Sequence, residues 1–204
     1  MKDKASLVAK ALVRSGALKF GSFKLKSGVT SPYYIDLTWL LSSPEDFKCI
    51  VNIIAEEIKK ISTLKRIDKL ASIELKGALL LPSVANKLNM PCVVLRKESK
   101  TYGVTGRIVG GEVKKREHLI FFDDLVTDGR SKIEGIRPIE DAGGIVDGVL
   151  VVVDREQGGK ENLGELGYQL WSVTTISAIV ESLLSSGDIA KESAEKILSY
   201  IRGK

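Results

Sequence analysis

The most informative stretch of the sequence is Ile120-Phe121-Phe122-Asp123-Asp124-Leu125-Val126-Thr127-Asp128-Gly129-Arg130-Ser131. The apolar run ending at Phe122 is short, continuous and aromatic-rich, which is typical of a buried parallel strand. Asp123 and Asp124 follow at its carboxyl end, where open α/β sheets bind ligands. Residues 127–131 then offer hydroxyls and backbone N–H groups before a predicted helix, which suits phosphate. The stretch predicts a site for a hydroxylated, phosphorylated ligand with a divalent cation, although paired acids also occur in solvated turns and helix caps.

The composition predicts one globular domain of ordinary size. The 204 residues carry a net charge of +5 that is spread along the chain, which favours an anionic small ligand over nucleic acid. Two cysteines are too few for a disulfide framework, and a single histidine is too few for a multi-histidine metal site. No secretory signal or membrane-length apolar run is evident, so we expect a cytoplasmic protein without a membrane partner.

Strands alternate with helices along the chain, which predicts a doubly wound, mainly parallel sheet. Pro138 is expected to kink or shorten the helix that contains it. Helices are predicted at residues 4–14, 44–60, 78–88, 131–142, 176–184 and 189–201, and strands at 23–26, 67–73, 92–95, 119–122, 145–153 and 168–173.

Other predicted strand ends also carry polar residues. Lys76 and Gly77 lie at a second strand-to-helix junction, where a cation and exposed N–H groups suit an anion. Arg155 follows a third strand and is suited to a planar carboxylate or carbonyl edge. Tyr33 and Tyr34 can form a flat wall for a planar ligand, and they can equally be core or interface aromatics.

Residues 96–107 are polar, basic and glycine-containing, without helical or strand periodicity. A loop of this length inside a compact domain is usually functional or disordered. We predict a phosphate-binding lid that excludes water, with a mobile surface hairpin as the alternative.

The motifs together resemble a known family. Residues 119–131 resemble the phosphoribosyl pyrophosphate signature of the type I phosphoribosyltransferases: apolar residues, two acids, two apolar residues, then Thr-x-Gly-x-Ser. Further segments narrow the resemblance to orotate phosphoribosyltransferase, and the match extends from about residue 7 to residue 180. These segments are 17–21, 25–28, 31–36, Arg96-Lys97-Glu98 with Lys100 and Gly103, and 154–159.

The resemblance implies a fold and a reaction. Residues 1–204 would form one α/β domain of the type I phosphoribosyltransferase fold, with a central, mainly parallel sheet flanked by helices. A small hood would come mainly from residues 15–40, and a mobile basic loop from about residues 97–108. The family is usually a homodimer whose loop reaches across the interface. With Mg2+, it transfers ribose 5-phosphate from phosphoribosyl pyrophosphate to orotate, giving orotidine 5'-monophosphate in pyrimidine (UMP) biosynthesis.

The resemblance also assigns roles to residues of this chain. Lys100, Asp123 and Asp124 would be catalytic, and Mg2+ would arrive with the donor near the two carboxylates rather than on assigned protein ligands. Phosphoribosyl pyrophosphate would contact Lys76, Arg96, Lys97, Lys100, Tyr102, Asp123, Asp124, Leu125, Val126, Thr127, Asp128, Gly129, Arg130 and Ser131. Orotate would contact Lys26, Tyr33, Tyr34, Thr127 and Arg155.

The chain departs from the family pattern in three segments. Tyr102 stands where the family usually has histidine, Glu74 places an acid in the pyrophosphate loop, and Asp128 with Arg130 alters the phosphate loop. They motivate two alternatives: a family member that binds a phosphoribosyl ligand with weakened or no activity, and a transferase acting on another base. Lys26 and Arg155, in orotate-like contexts, favour orotate.

Overall fold

The computed structural model describes residues 2–24, 28–100 and 106–203, of which residues 2, 3, 99 and 100 are described by their backbone alone. The helices are α1 (Lys2–Arg14), α2 (Pro44–Ser62), α3 (Lys76–Leu88), α4 (Arg130–Asp141), α5 (Gly159–Glu165), α6 (Ile176–Ser186) and α7 (Lys191–Arg202), and a 3-10 helix spans Leu37–Ser42. The strands are β1 (Leu18–Lys24), β2 (Thr30–Ile35), β3 (Lys69–Ile73), β4 (Cys92–Lys100), β5 (Gly106–Val109), β6 (His118–Val126), β7 (Ile145–Asp154) and β8 (Leu170–Thr175).

The central sheet has six strands in the order β5-β4-β3-β6-β7-β8. Strands β4, β3, β6, β7 and β8 are parallel, and β5 pairs antiparallel with β4 at one edge. The α/β class with a mainly parallel sheet is confirmed. From β3 the chain proceeds to β4 on one side and returns to β6 on the other, so the strand order reverses between β3 and β6. Ligands of open α/β sheets bind outside the carboxyl ends of strands at such a reversal.

Helices cover both faces of the sheet, and two apolar clusters form the core. Phe122 and Leu150 face a cluster that includes apolar side chains of α1, α2, α3, α6 and α7. Phe121 and Val151 face the opposite cluster, which includes α4 and α5. Adjacent phenylalanines therefore enter different layers, as the alternation of a strand requires. Burial on both faces explains the continuous apolar sequence of β6.

The N-terminal segment adds a second, two-stranded sheet. Strands β1 and β2 pair antiparallel from Leu18 opposite Ile35 to Lys24 opposite Thr30. The 3-10 helix follows directly, and the Asp36 side chain caps it by accepting from the Thr38 N–H. This hairpin occupies most of the segment predicted to be a hood.

Several predicted boundaries were wrong. Strand β4 continues to Lys100 instead of ending at Leu95, and β5 begins at Gly106, so the ends of the predicted loop pair as strands; residues 101–105 lie outside the described part of the chain. Strand β6 includes Asp123 and Asp124 because its pairing with β7 continues through Val126. Helix α5 was not predicted, since seven residues with two glycines carry little periodicity.

Helix α4 runs to Asp141 despite Pro138, which we expected to kink or shorten it. A proline lacks the N–H that would bind the carbonyl four residues earlier, here that of Glu134. Arg107 Nη2 donates to this carbonyl at 3.1 Å, so the freed acceptor is satisfied from outside the helix.

Within the described residues, no helix combines the length and hydropathy that a membrane crossing requires.

Candidate active site

A cleft of about 440 Å³ opens at the carboxyl ends of β3, β6 and β7. It lies where the strand order reverses, and the N-terminal hairpin contributes one wall. Its lining brings together residues that are far apart in the sequence: Tyr33, Tyr34, Ile35, Ile73, Glu74, Leu75, Lys76, Lys97, Asp123, Asp124, Leu125, Thr127, Asp128, Gly129, Ser131, Lys132 and Arg155.

Asp123 is buried and held by several contacts. One carboxylate oxygen, Oδ2, lies 2.5 Å from Lys132 Nζ, and the other, Oδ1, accepts from the Asp124 N–H at 2.9 Å. The start of α3 packs against it so closely that a Cβ on Gly77 would lie 2.7 Å from the Asp123 Cα. Asp123 therefore has little freedom to move within the cleft.

Asp124 is also buried, but only one of its two carboxylate oxygens has a hydrogen-bond partner among the described residues. Its Oδ1 accepts from the Leu125 N–H at 2.9 Å, whereas its Oδ2 is buried without a hydrogen-bond partner among the described residues. Burial, followed by the charge of Asp123, raises the pKa of Asp124 to about 7, although the ammonium groups of Lys132 and Lys76 oppose the rise. An unpartnered buried carboxylate oxygen that lines a cleft is suited to a cation or a ligand hydroxyl.

The donor set suits a magnesium ion brought by a ligand. Among the described residues, no group of three or more histidine, cysteine or acidic side chains is arranged to hold a metal alone. Mg2+ typically binds proteins through one or two carboxylates and completes its shell with water and substrate phosphates. The free Oδ2 of Asp124, beside Asp123, offers such a partial set.

Residues 127–129 form the turn between β6 and α4, and Arg130 and Ser131 begin the helix. Gly129 adopts a φ of +83° at the start of the helix, a conformation that glycine tolerates best. Helix α5 packs against the turn, since a Cβ on Gly159 would lie 2.8 Å from the Thr127 carbonyl oxygen. Asp128 pairs with Arg130, whose Nε lies 3.3 Å from Oδ2 and whose N–H donates to Oδ1 at 3.2 Å. The acid in this turn thus has a local counter-charge.

The wall beside β3 carries two of the predicted cations. Lys76 Nζ lies 3.1 Å from Asp36 Oδ1, which ties the start of α3 to the N-terminal segment. Burial alone would raise the pKa of Asp36, but hydrogen bonds from Thr38 and Lys76 and the charge of Lys76 hold it below its ordinary value. Glu74 accepts from the Lys97 N–H at 2.7 Å, so part of its negative charge is engaged by the backbone.

The opposite wall is aromatic and carries Arg155. Tyr33 is buried, and its hydroxyl accepts from Arg155 Nε at 3.1 Å, while the guanidinium carbon lies 5.1 Å from the ring centroid. Tyr200 of α7 contacts the Tyr33 ring edge-on at 6.2 Å between centroids. Burial raises the pKa of Tyr33, which stays protonated, although Arg155 opposes the rise. Tyr34 is 38% exposed, leaving its ring available to a ligand.

Some predicted site residues lie elsewhere. The Val126 side chain packs in the core because strand alternation turns it from the cleft, and the Arg130 side chain, 85% exposed, is not part of the cleft lining. Arg96 Nη1 donates to the Gly106 carbonyl at 3.3 Å, between β4 and β5. Lys26 and Tyr102 lie outside the described residues, and so does the side chain of Lys100.

Sequence reasoning missed Lys132 and Asp36. Lys132 lies on the buried face of α4, which continues through Ile136 and Ile139. A lysine at an apolar position of the helical pattern was the sequence signal that could have identified it. Asp36 was read only as the end of a motif. Its ion pair with Lys76 joins residues 40 positions apart, which no local pattern reveals.

Comparisons with known proteins agree with this geometry. No protein-family model matches the chain. The chain is 33% identical over 181 residues to the orotate phosphoribosyltransferase of Pyrococcus abyssi, covering 89% of this chain and 98% of that protein. The solved orotate phosphoribosyltransferase of Aeropyrum pernix superposes with a TM-score of 0.76 at 28% identity, covering 90% of this chain and 99% of that one.

A larger protein contains a similar unit. The UMP synthase of Leishmania donovani superposes with a TM-score of 0.86 at 30% identity, covering 98% of this chain but 42% of that one. This chain therefore spans less than half the length of that protein. The relative from Pyrococcus abyssi, by contrast, is matched over almost its full length. The chain belongs to the orotate phosphoribosyltransferase family.

Proposed function

We propose that this chain is an enzyme that transfers ribose 5-phosphate from phosphoribosyl pyrophosphate to orotate, giving orotidine 5'-monophosphate and pyrophosphate in pyrimidine biosynthesis. The observation that carries the proposal is the arrangement of the cleft. Two buried carboxylates lie between a cationic wall with Lys76 and Lys97 and an aromatic wall with Tyr33 and Arg155. A ribose with a diphosphate on one side and a planar, anionic base on the other matches this distribution of charge.

The carboxylates account for the central step. When the bond between the ribose C1 and the diphosphate lengthens, positive charge develops on the ribosyl centre. Asp123 and Asp124 stabilise that charge and accept hydrogen bonds from the ribose hydroxyls. Their effect is large because both carboxylates are buried and are held in place before the reaction. Residues 127–131 meanwhile hold the 5'-phosphate through backbone N–H groups and hydroxyls.

Cations on the other side assist departure of the diphosphate. Lys76 and Lys97 line that wall, and Lys100, by family resemblance, joins them from the loop. Their attraction to the leaving group increases as its negative charge grows, so they favour the transition state over the bound donor. We propose that Asp124 and Asp123 would help to hold a Mg2+ ion carried by the donor, which would supply further neutralisation of the diphosphate.

Turnover with orotate tests the proposed function. Orotate absorbance should fall when protein, phosphoribosyl pyrophosphate and Mg2+ are combined, and EDTA should abolish the change. A parallel panel of uracil, adenine and guanine identifies a different acceptor. Binding of phosphoribosyl pyrophosphate by calorimetry without turnover on any base would establish the non-catalytic alternative instead. The pairing of Asp128 with Arg130 and of Glu74 with the Lys97 N–H supports the enzyme.

Replacing Tyr33 by phenylalanine should raise the KM for orotate about 5- to 20-fold and leave kcat nearly unchanged, because the hydrogen bond that orients Arg155 is lost. Steady-state kinetics at saturating donor measure both constants. Tyr34→Phe is the matched control, since that hydroxyl lies 3.4 Å from Asp36 Oδ2 instead of contacting Arg155. Equal KM values in the two variants would contradict this role for Tyr33.

We further propose a homodimer in which the loop of one subunit completes the site of the other, as the family resemblance implies. Lys100→Ala and Asp124→Asn should each be nearly inactive alone. Mixing and re-equilibrating them should restore up to about a quarter of wild-type activity, because half of the mixed dimers' sites are intact. Light scattering measures the mass of the assembly in solution and so tests the homodimer. Activity that stays at the sum of the separate variants excludes sharing of Lys100.

The cytoplasmic location stays a prediction.

A further inference from the structure

Lys132 is a buried lysine that the proposed mechanism does not use. It is the third residue of α4 and lies on the helix face that also buries Gly135, Ile136 and Ile139. Its side chain is 6% exposed, yet it is part of the cleft lining. Lysine is almost never this buried without a partner, because removing an ammonium from water is costly. Its position therefore requires a compensating group.

The ammonium contacts two parts of the site at once. Lys132 Nζ lies 2.5 Å from Asp123 Oδ2 and donates to Ser131 Oγ at 3.2 Å. Asp123 belongs to the carboxylate pair near the end of β6, and Ser131 is the second residue of α4, beside the turn that would face a 5'-phosphate. One side chain thus connects the group that would bind the ribose with the group that would bind its phosphate.

The charge of the cleft also depends on Lys132. Acidic and basic side chains are equal in number among the described residues of the lining. Without Lys132 the acids would outnumber the bases, and an anionic ligand would enter a cleft of net negative charge. The acids are Glu74, Asp123, Asp124 and Asp128, and the bases are Lys76, Lys97, Lys132 and Arg155.

We propose that Lys132 is a positioning residue of the phosphoribosyl site: its buried ammonium holds Asp123 and the Ser131 hydroxyl in one arrangement and offsets the acids that surround a bound ribose 5-phosphate. The identity of the ligand rests on the proposed function. The contacts and the charge balance are properties of the chain alone. The role differs from that of Lys76 and Lys97, which lie on the diphosphate side.

Calorimetry with ribose 5-phosphate tests the inference without requiring turnover. Lys132→Met keeps most of the side-chain volume and removes the charge, and we expect ribose 5-phosphate to bind at least about 10-fold more weakly. Arg137→Met is the matched control, because it removes one positive charge from an exposed position on the same helix. Equal weakening in both variants, or none in Lys132→Met, overturns the inference.

A second comparison separates this role from simple support of the fold. Lys132→Met leaves the Asp123 carboxylate buried without its partner, which alone destabilises a protein. Asp123→Asn removes that charge, so Asp123→Asn/Lys132→Met and Asp123→Asn are compared for ribose 5-phosphate affinity and melting temperature. We expect the double variant to stay folded and to bind at least about fivefold more weakly than Asp123→Asn. Equal affinities would show that Lys132 only balances Asp123.

The result remains distinguishable from failure of the proposed function. If the wild-type protein binds ribose 5-phosphate but does not consume orotate, the proposed reaction is wrong, while the comparison of variants still tests Lys132. If the wild-type protein does not bind ribose 5-phosphate at millimolar concentration, the inference is overturned. In an active enzyme, Lys132→Met should raise the KM for phosphoribosyl pyrophosphate more than the KM for orotate, because Lys132 contacts only the phosphoribosyl half of the cleft.

Discussion

Replacing Asp124 by asparagine is expected to lower kcat about 100- to 1,000-fold and, at the same time, to raise the melting temperature at pH 8. The loss of activity follows from removing a preorganised negative charge beside the ribosyl centre. The gain in stability follows from the cost of burying that charge, since Asp124 Oδ2 has no partner among the described residues. A residue whose removal stabilises the fold while abolishing turnover is maintained for function.

The pH dependence of stability gives the sharper test. The folded-state pKa of Asp124 is about 7, above its ordinary value of 3.8, so the unfolded chain releases this proton at lower pH than the folded protein. Stability from this group is therefore present below pH 4 and is lost as the pH rises to about 7. Asparagine cannot titrate. The melting temperature of Asp124→Asn relative to wild type should rise by about 5–10 °C between pH 5 and pH 8 in metal-free buffer.

Asp128→Asn is the matched control for this experiment. Asp128 lines the same cleft, but its carboxylate is 48% exposed and is paired with Arg130. Its replacement should change the melting temperature by about the same small amount at both pH values. Differential scanning fluorimetry measures the melting temperature of both variants, with and without about 5 mM EDTA to chelate trace metal. If the difference in melting temperature between Asp124→Asn and wild type is constant across pH 5–8, the assignment of a raised pKa to Asp124 is wrong.

The central features of the site could be predicted because they are local. A buried parallel strand gives an apolar run, and the end of such a strand is where polar residues meet a ligand. The Asp123-Asp124 pair, the glycine turn and the following helix are therefore readable within a dozen consecutive residues. The same reasoning located Lys76 and Arg155 at other strand ends, since parallel strands bring their carboxyl ends to one edge.

Features that depend on distant contacts were not predicted. Strand β4 extends past Leu95 because β5 pairs with it, which overrides the weak strand propensity of a polar, charged segment. Helix α4 tolerates Pro138 because Arg107, 27 residues before Glu134, satisfies the freed carbonyl. In each case the partner lies on another element.

Gly77→Ala is expected to damage the site and the fold together. A Cβ at this position would lie 2.6 Å from Ser72 Oγ and 2.7 Å from the Asp123 Cα, so α3 and β6 must move apart. Overpacking of this kind costs about 1–3 kcal/mol, or about 2–4 °C of melting temperature for each kcal/mol in a chain of this size. Movement of Asp123 by about 1 Å should also lower kcat about 100-fold, since the carboxylate leaves its productive position.

Gly135→Ala separates the two effects. A Cβ on Gly135 would lie 2.5 Å from Phe121 Cζ and 2.6 Å from Phe121 Cε2, a clash of similar severity that falls on an aromatic side chain of β6 instead of on Asp123 itself. Its melting temperature should fall by a similar amount while kcat per folded molecule, at 10 °C below the lower melting temperature, stays within about threefold of wild type. If both variants lose kcat equally, the loss reflects weaker packing of the sheet. A loss of kcat in Gly77→Ala alone means that the close approach of α3 positions Asp123. The catalytic geometry then requires glycine at residue 77.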